Sequence, residues 1–155
     1  MYKAVFVDFD RTYFVWRMAD ERPDDMLVSR INEDFEYNDY GYVNLPMVTK
    51  LEEYRKKHPF VTFIMLTHCS NSVELSIKET YSNRETPRFF GDCICTASAE
   101  DKVKFIKAYA IACEIDVKEC ILVDDRQDTR IICENEGVPA IDPVEVMCTG
   151  LQEEI

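Results

Sequence analysis

Three short apolar runs, Ala4-Val5-Phe6-Val7, Phe63-Ile64-Met65-Leu66 and Cys120-Ile121-Leu122-Val123, each end in a polar or acidic residue. A run of four with no polar interruption has no solvated face, so it suits a strand covered on both sides, as in a parallel sheet. The first run leads into Asp8-Phe9-Asp10-Arg11-Thr12, the second into Thr67, and the third into Asp124-Asp125. Parallel strands place all their carboxyl ends along one edge, where α/β proteins bind ligands. The pattern therefore gathers Asp8, Asp10, Thr67, Asp124 and Asp125, which are far apart in sequence. Carboxylates brought together repel one another and desolvate poorly, which calls for a cation or for proton chemistry. Taken alone, Asp8-Phe9-Asp10 has a plainer reading as a solvated turn at a strand end.

The segments between the runs alternate with them. Pro46 opens a helical pattern with Met47, Leu51 and Tyr54 on one face and Lys56-Lys57 in its last turn, at the negative end of the dipole. Residues 60–67 form a strong strand, after which Ser70 or Asn71 caps a helix to about Tyr81. Phe90 to Thr96 reads as a shorter strand. Ser98 caps the next helix, with Asp101 in a weak capping box and Val103, Ile106, Tyr109 and Ala110 facing inward. A helix over 129–135 closes at Gly137, and 139–141 is a last short strand. Lys102 lies in the first turn of its helix, from where its ammonium can reach the acidic edge. This alternation predicts an α/β fold, a three-layer Rossmann-like parallel sheet with helices on both faces. Residues 13–44 are irregular, with room for a short helix around Asp25–Asn32 or a small hairpin. Tyr13, Phe14 and Trp16 follow the acidic loop and are read as core ahead of substrate contacts.

At 155 residues the chain is expected to form a single domain, 1–155, with a flap or small insertion at about 13–45. Its net charge of −12, from 30 acidic and 18 basic residues, argues against binding a nucleic-acid backbone. The same excess means that an acidic site needs a divalent cation before it can hold a phosphate. The seven cysteines lack zinc-ligand spacing and are read as reduced, buried thiols, Cys113, Cys120 and Cys133 among them. Cys93 and Cys95 fall on one face of a strand. The apolar runs are too short to cross a bilayer and no secretory signal is visible, so a cytoplasmic protein with no membrane partner is expected.

The constellation resembles the haloacid dehalogenase (HAD) superfamily of phosphatases, in its small capless form. Asp8-x-Asp10-x-Thr12 matches the first motif, Thr67 the second, Lys102 the third, and Asp124-Asp125 with Asp128 nearby the fourth, in the family's order. The resemblance implies a magnesium-dependent phosphatase. Asp8 would be the nucleophile that forms an aspartyl-phosphate, and Asp10 the general acid and base. Mg2+ would sit on the Asp8 carboxylate, the Asp10 backbone carbonyl and Asp125, with Asp124 close behind as the alternative ligand and Asp128 supporting from outside. Thr67 and Lys102 would bind phosphoryl oxygens; Thr12, Arg11 and His68 are further candidates for touching substrate, and a structural role for His68 is an equal reading. His58 is read as a loop residue. Arg11 departs from the family, which most often has glycine there, and Asp124-Asp125 stands for the commoner Gly-Asp. With little room for a cap, the site would take a phosphoprotein, or a small phosphorylated metabolite if a neighbouring copy in a homo-oligomer covers it. Two alternatives remain: a phospho-accepting receiver domain, disfavoured because its acceptor sits on the third strand, and a silent metal-binding interaction domain, disfavoured by retention of both Asp8 and Asp10.

Overall fold

The structure, a computed structural model, describes residues 1–17 and 31–152. Five parallel strands form the central sheet in the order β5-β4-β1-β6-β7: β1 (Ala4–Val7), β4 (Thr62–His68), β5 (Asp92–Thr96), β6 (Cys120–Val123) and β7 (Ala140–Ile141). The apolar runs occupy its middle, where both faces are covered. Every residue of β1 and β6 is buried. Alternation along β1 sends Val5 and Val7 into one core and Ala4 and Phe6 into the other. Burying such a side chain contributes about 1.5–3 kcal/mol, so these runs dominate the packing energy.

Helices cover the two faces. On one lie α1 (Leu45–Lys57), α2 (Ser72–Glu85) and α5 (Pro143–Thr149), which contribute Met47, Leu51, Tyr54, Tyr81 and Val146 to the core. On the other lie α3 (Ala99–Ala112) and α4 (Gln127–Asn135), with Val103, Ile106, Ala110 and Cys133. This is the expected three-layer α/β architecture. Asn71 caps α2 through Glu74 N and Ser98 caps α3 through Asp101 N, as the sequence indicates. The chain leaves α4 through Gly137 at φ 76°, a left-handed turn that suits glycine. Helix α2 runs four residues beyond Tyr81, and α5 goes unread in the sequence because its seven residues are too few to show a period.

The irregular stretch contributes a small ribbon, not a helix, among its described residues. Strand β2 (Phe14–Trp16) pairs antiparallel with β3 (Gly41–Val43), and Tyr37–Asp39 makes one 3-10 turn between them. Residues 25–30 of the expected helix lie outside the described part, and Ile31 and Asn32 are not helical. Tyr13, Phe14 and Trp16 are core residues, as expected. They join Phe9, Tyr37 and Tyr81 in an aromatic cluster in which Phe9 lies 5.6 Å from Phe14 and 4.9 Å from Tyr37. The cysteine expectation holds only in part. All seven are free thiols, and Cys69, Cys120 and Cys133 are buried, but Cys95, Cys113 and Cys148 are exposed. Cys113 follows α3 as its C-cap, so the apolar run before it does not carry it inward. No helix among the described residues is long and apolar enough to cross a membrane.

Candidate active site

The sheet register brings the acidic residues together. Val7 is level with Val123 on one side and Met65 on the other, so Asp8 and Asp124 emerge at one edge, while β4 runs on to Thr67 and His68. Asp8 N donates to Val123 O at 3.0 Å, which ties the two strand ends. One oxygen from each of Asp8, Asp124 and Asp125 lies within 4.8 Å of the others. Helix α3 supplies the counter-charge from its first turn: Lys102 Nζ lies 3.0 Å from Asp8 Oδ1 and 2.8 Å from Asp124 Oδ2. Burial opposes the Lys102 charge, but Asp8 and Asp124 outweigh it and its pKa is raised.

One ammonium does not balance three carboxylates. Burial pushes Asp8 up to about 7; Lys102 pulls it back, and Asp124 and Asp10 push it further up. Asp125 is also raised, by burial and by Asp124, with Arg11 and the Thr12 hydroxyl among the groups that lower it. The cluster is thus a buried set of hard oxygen donors in excess of its own cations. That is the environment a magnesium ion fits. Asp124 has one oxygen on Lys102 and the other on Arg126 N at 3.0 Å, and Arg130 Nη1 holds its carbonyl at 2.9 Å. Asp125 is held by Thr12: Asp125 N donates to Thr12 Oγ1 at 3.2 Å, and Thr12 Oγ1 donates to Asp125 Oδ1 at 3.4 Å.

Several expected residues take other roles. Thr12 is fully buried with its hydroxyl on Asp125, so it clasps the first loop to the fourth strand end and does not face a ligand. Asp128 is not beside the cluster. Its carboxylate is exposed, forks onto Arg126 at 2.7 and 3.2 Å, and accepts from Thr129 N, because the first turn of α4 carries it away. Arg11 sits at φ 61°, the left-handed conformation that explains why glycine suits this position. His68 is exposed, with Nδ1 3.0 Å from Thr96 O, and His58 is the C-cap of α1 against the Tyr54 ring. Thr67 is buried at the end of β4, but its partner is not Lys102.

That partner is Lys78, which the sequence reading passed over. It lies on α2 with no exposed surface, and its Nζ is 3.0 Å from Asp10 Oδ2, Thr67 Oγ1 and His68 O alike. Asp10 Oδ1 accepts from the Trp16 indole at 3.3 Å. The stripe of α2 that faces inward is Glu74, Lys78, Tyr81 and Ser82, while Val73 and Ile77 are only half-buried. A cavity of about 540 Å³ runs along α2 beside residues 33–37, yet none of the carboxylates above lines it.

No family model and no curated protein matches the chain by sequence. Solved structures do match it in shape. The N-terminal part of a Bacteroides fragilis protein, containing a phosphatase domain and complexed with magnesium, aligns with a TM-score of 0.60 at 14% identity, over 99% of this chain and 41% of that one. A HAD-family enzyme from Bacteroides thetaiotaomicron, complexed with magnesium and inorganic phosphate, aligns at 0.58 and 10% identity, over 92% and 94%. A HAD-superfamily hydrolase from Geobacter sulfurreducens aligns at 0.54 and 15% identity, over 92% and 89%. At such identities the likeness is one of fold.

Proposed function

We propose that this chain, which has the haloacid dehalogenase-like fold, is a magnesium-dependent phosphatase acting on phosphomonoesters through an aspartyl-phosphate on Asp8. The observation that carries this reading is the Lys102 ammonium bridging Asp8 and Asp124, with Asp125 alongside, at the carboxyl end of the central strand. Mg2+ would be held by Asp8, Asp125 and the Asp10 carbonyl, with Asp124 as the alternative ligand. Bound there it would supply positive charge to phosphate oxygens and favour the ionised form of Asp8.

The chain's own groups account for the bond changes. Asp8 Oδ attacks phosphorus, and the bond to the leaving oxygen breaks as Asp10 gives that oxygen its proton. Asp10 then takes a proton from water, whose oxygen attacks the phosphorus of the aspartyl-phosphate. The P–O bond to Asp8 breaks and inorganic phosphate leaves. Lys102 stays beside Asp8 through both steps, where it stabilises charge on the phosphoryl group. Among the described residues, the 13–45 segment adds the β2–β3 ribbon and one 3-10 turn, in keeping with an open site. A phosphoprotein fits such a site, as does a phosphorylated small molecule in a homo-oligomer.

The test is a panel of phosphomonoesters and phosphopeptides assayed with and without magnesium. Hydrolysis is expected only with the ion, and Asp8→Asn is expected to abolish it. Turnover that survives in that variant removes Asp8 as nucleophile. Asp10→Asn should lose more with alkyl phosphates than with p-nitrophenyl phosphate, because a good leaving group needs no proton.

A further inference from the structure

Lys78 is fully buried on α2, and three acceptors surround its Nζ at 3.0 Å: Asp10 Oδ2, Thr67 Oγ1 and His68 O. A primary ammonium has three N–H donors, so this set occupies all of them. Glu74 Oε1 stands 3.7 Å away, one helical turn earlier, and its other oxygen accepts from Ser70 N. The Phe9 ring lies 5.0 Å from Nζ on a further side. We infer that Lys78 is a positioning residue of the proposed reaction, holding the Asp10 carboxylate and the Thr67 hydroxyl in one fixed arrangement at the edge of the sheet.

The inference rests on the phosphatase reading of the site and deepens it. A lysine whose donors are all taken by protein acceptors is not placed to bind a phosphoryl oxygen. It differs in this from Lys102, which faces Asp8. Its effect must pass through what it holds. Asp10 needs one rotamer for proton transfer, and it has a donor on each oxygen: Lys78 on Oδ2 and the Trp16 indole on Oδ1. Burial works against the Lys78 charge, while Asp10, Cys69 and Glu74 favour it and prevail, so the clamp remains an ammonium. Without Lys78, the Asp10 carboxylate loses its charged donor and keeps the weaker indole one, and Glu74 loses the ammonium beside it.

The experiment compares Lys78→Met with the wild-type protein on two substrates, p-nitrophenyl phosphate and an alkyl phosphate, in the presence of magnesium. We expect kcat/KM, which reports formation of the aspartyl-phosphate and so the leaving-group step, to fall roughly 10- to 100-fold on the alkyl phosphate and less than tenfold on the aryl one. In an Asp10→Asn background the same change should cost little more, since its route is already cut. A rise in KM with kcat kept makes Lys78 a substrate ligand and overturns the inference. Equal losses of kcat/KM on both substrates, tracking a loss of stability, make it merely structural and also overturn it. Because Lys78→Met strands Glu74, Lys78→Met with Glu74→Gln is measured as well, and its substrate dependence must follow the same pattern. Failure of the wild-type protein to hydrolyse any phosphomonoester overturns the phosphatase reading and this inference together.

Discussion

Two aspartates three positions apart show how little spacing alone decides. Asp125 follows β6 directly, sits half-buried against Thr12, and lies within the carboxylate cluster. Asp128 is on the first turn of α4, fully engaged with Arg126 at the surface, and Arg126 holds its carboxyl below the usual range. If the cluster holds magnesium, the two should separate cleanly by calorimetry. Asp125→Asn is expected to weaken magnesium binding by roughly 100-fold or more, beyond what loss of an outer contact causes. Asp128→Ala should change it less than about twofold, because an exposed ion pair contributes ~1 kcal/mol or less even to stability. Comparable losses in both variants would place Asp128 in the metal site after all.

At the scale of elements, the ribbon shows how a surface segment reaches the chemistry. Trp16 pairs with Gly41 in register, and its indole donates to Asp10. A methyl group at Gly41 would lie 2.1 Å from the Val15 carbonyl and 2.7 Å from the Phe14 ring, so β2 and β3 could not keep their spacing. Gly41→Ala is therefore expected to destabilise the fold by about 1–3 kcal/mol, read by urea unfolding. It should also lower turnover of alkyl phosphates more than of aryl ones, since displacing β2 takes Trp16 from Asp10. Equal losses on the two substrates would confine Trp16 to packing. The strands that build the acidic edge were legible because a buried parallel strand must be apolar throughout and must stop where the edge begins. Lys78 was not, for an equally physical reason. Glu74 and Lys78 are spaced i, i+4, a pattern that ordinarily marks a solvated helix face. Val73, Ile77 and Tyr81 offered an apolar stripe to turn inward instead. The site itself tips the balance: Asp10 and the Thr67 hydroxyl need a cation more than the core needs Val73. The ribbon was only half legible, since strands of three residues carry too few alternations to declare a face.

For the molecule as a whole, an excess of acid is concentrated where it is most costly. The net charge is −12, and Asp8, Asp124 and Glu74 are among the buried groups. Metal-free protein should therefore answer to pH through Asp8, whose pKa rises from 3.8 unfolded to about 7 folded. A carboxyl raised on folding binds its proton more tightly in the native state. Its contribution to stability is complete below about pH 4 and disappears as pH climbs through about 7. With magnesium chelated, the melting temperature at pH 8 is expected to be lower than at pH 6. Added magnesium must do the reverse, because it binds the ionised carboxylate. Its affinity should weaken as pH falls below about 7, approaching tenfold per unit for one displaced proton. The rise in melting temperature on adding a fixed magnesium concentration should accordingly be larger at pH 8 than at pH 6. Asp8→Asn isolates the cause. Without the titrating carboxyl, this pH-dependent part of the metal-free melt should vanish. The variant should also melt above the wild-type protein at pH 8, since it removes one of the carboxylates that repel each other around Lys102. A magnesium-induced shift of the same size at both pH values would show that Asp8 is ionised throughout. The proton linkage between fold and metal would then lie elsewhere.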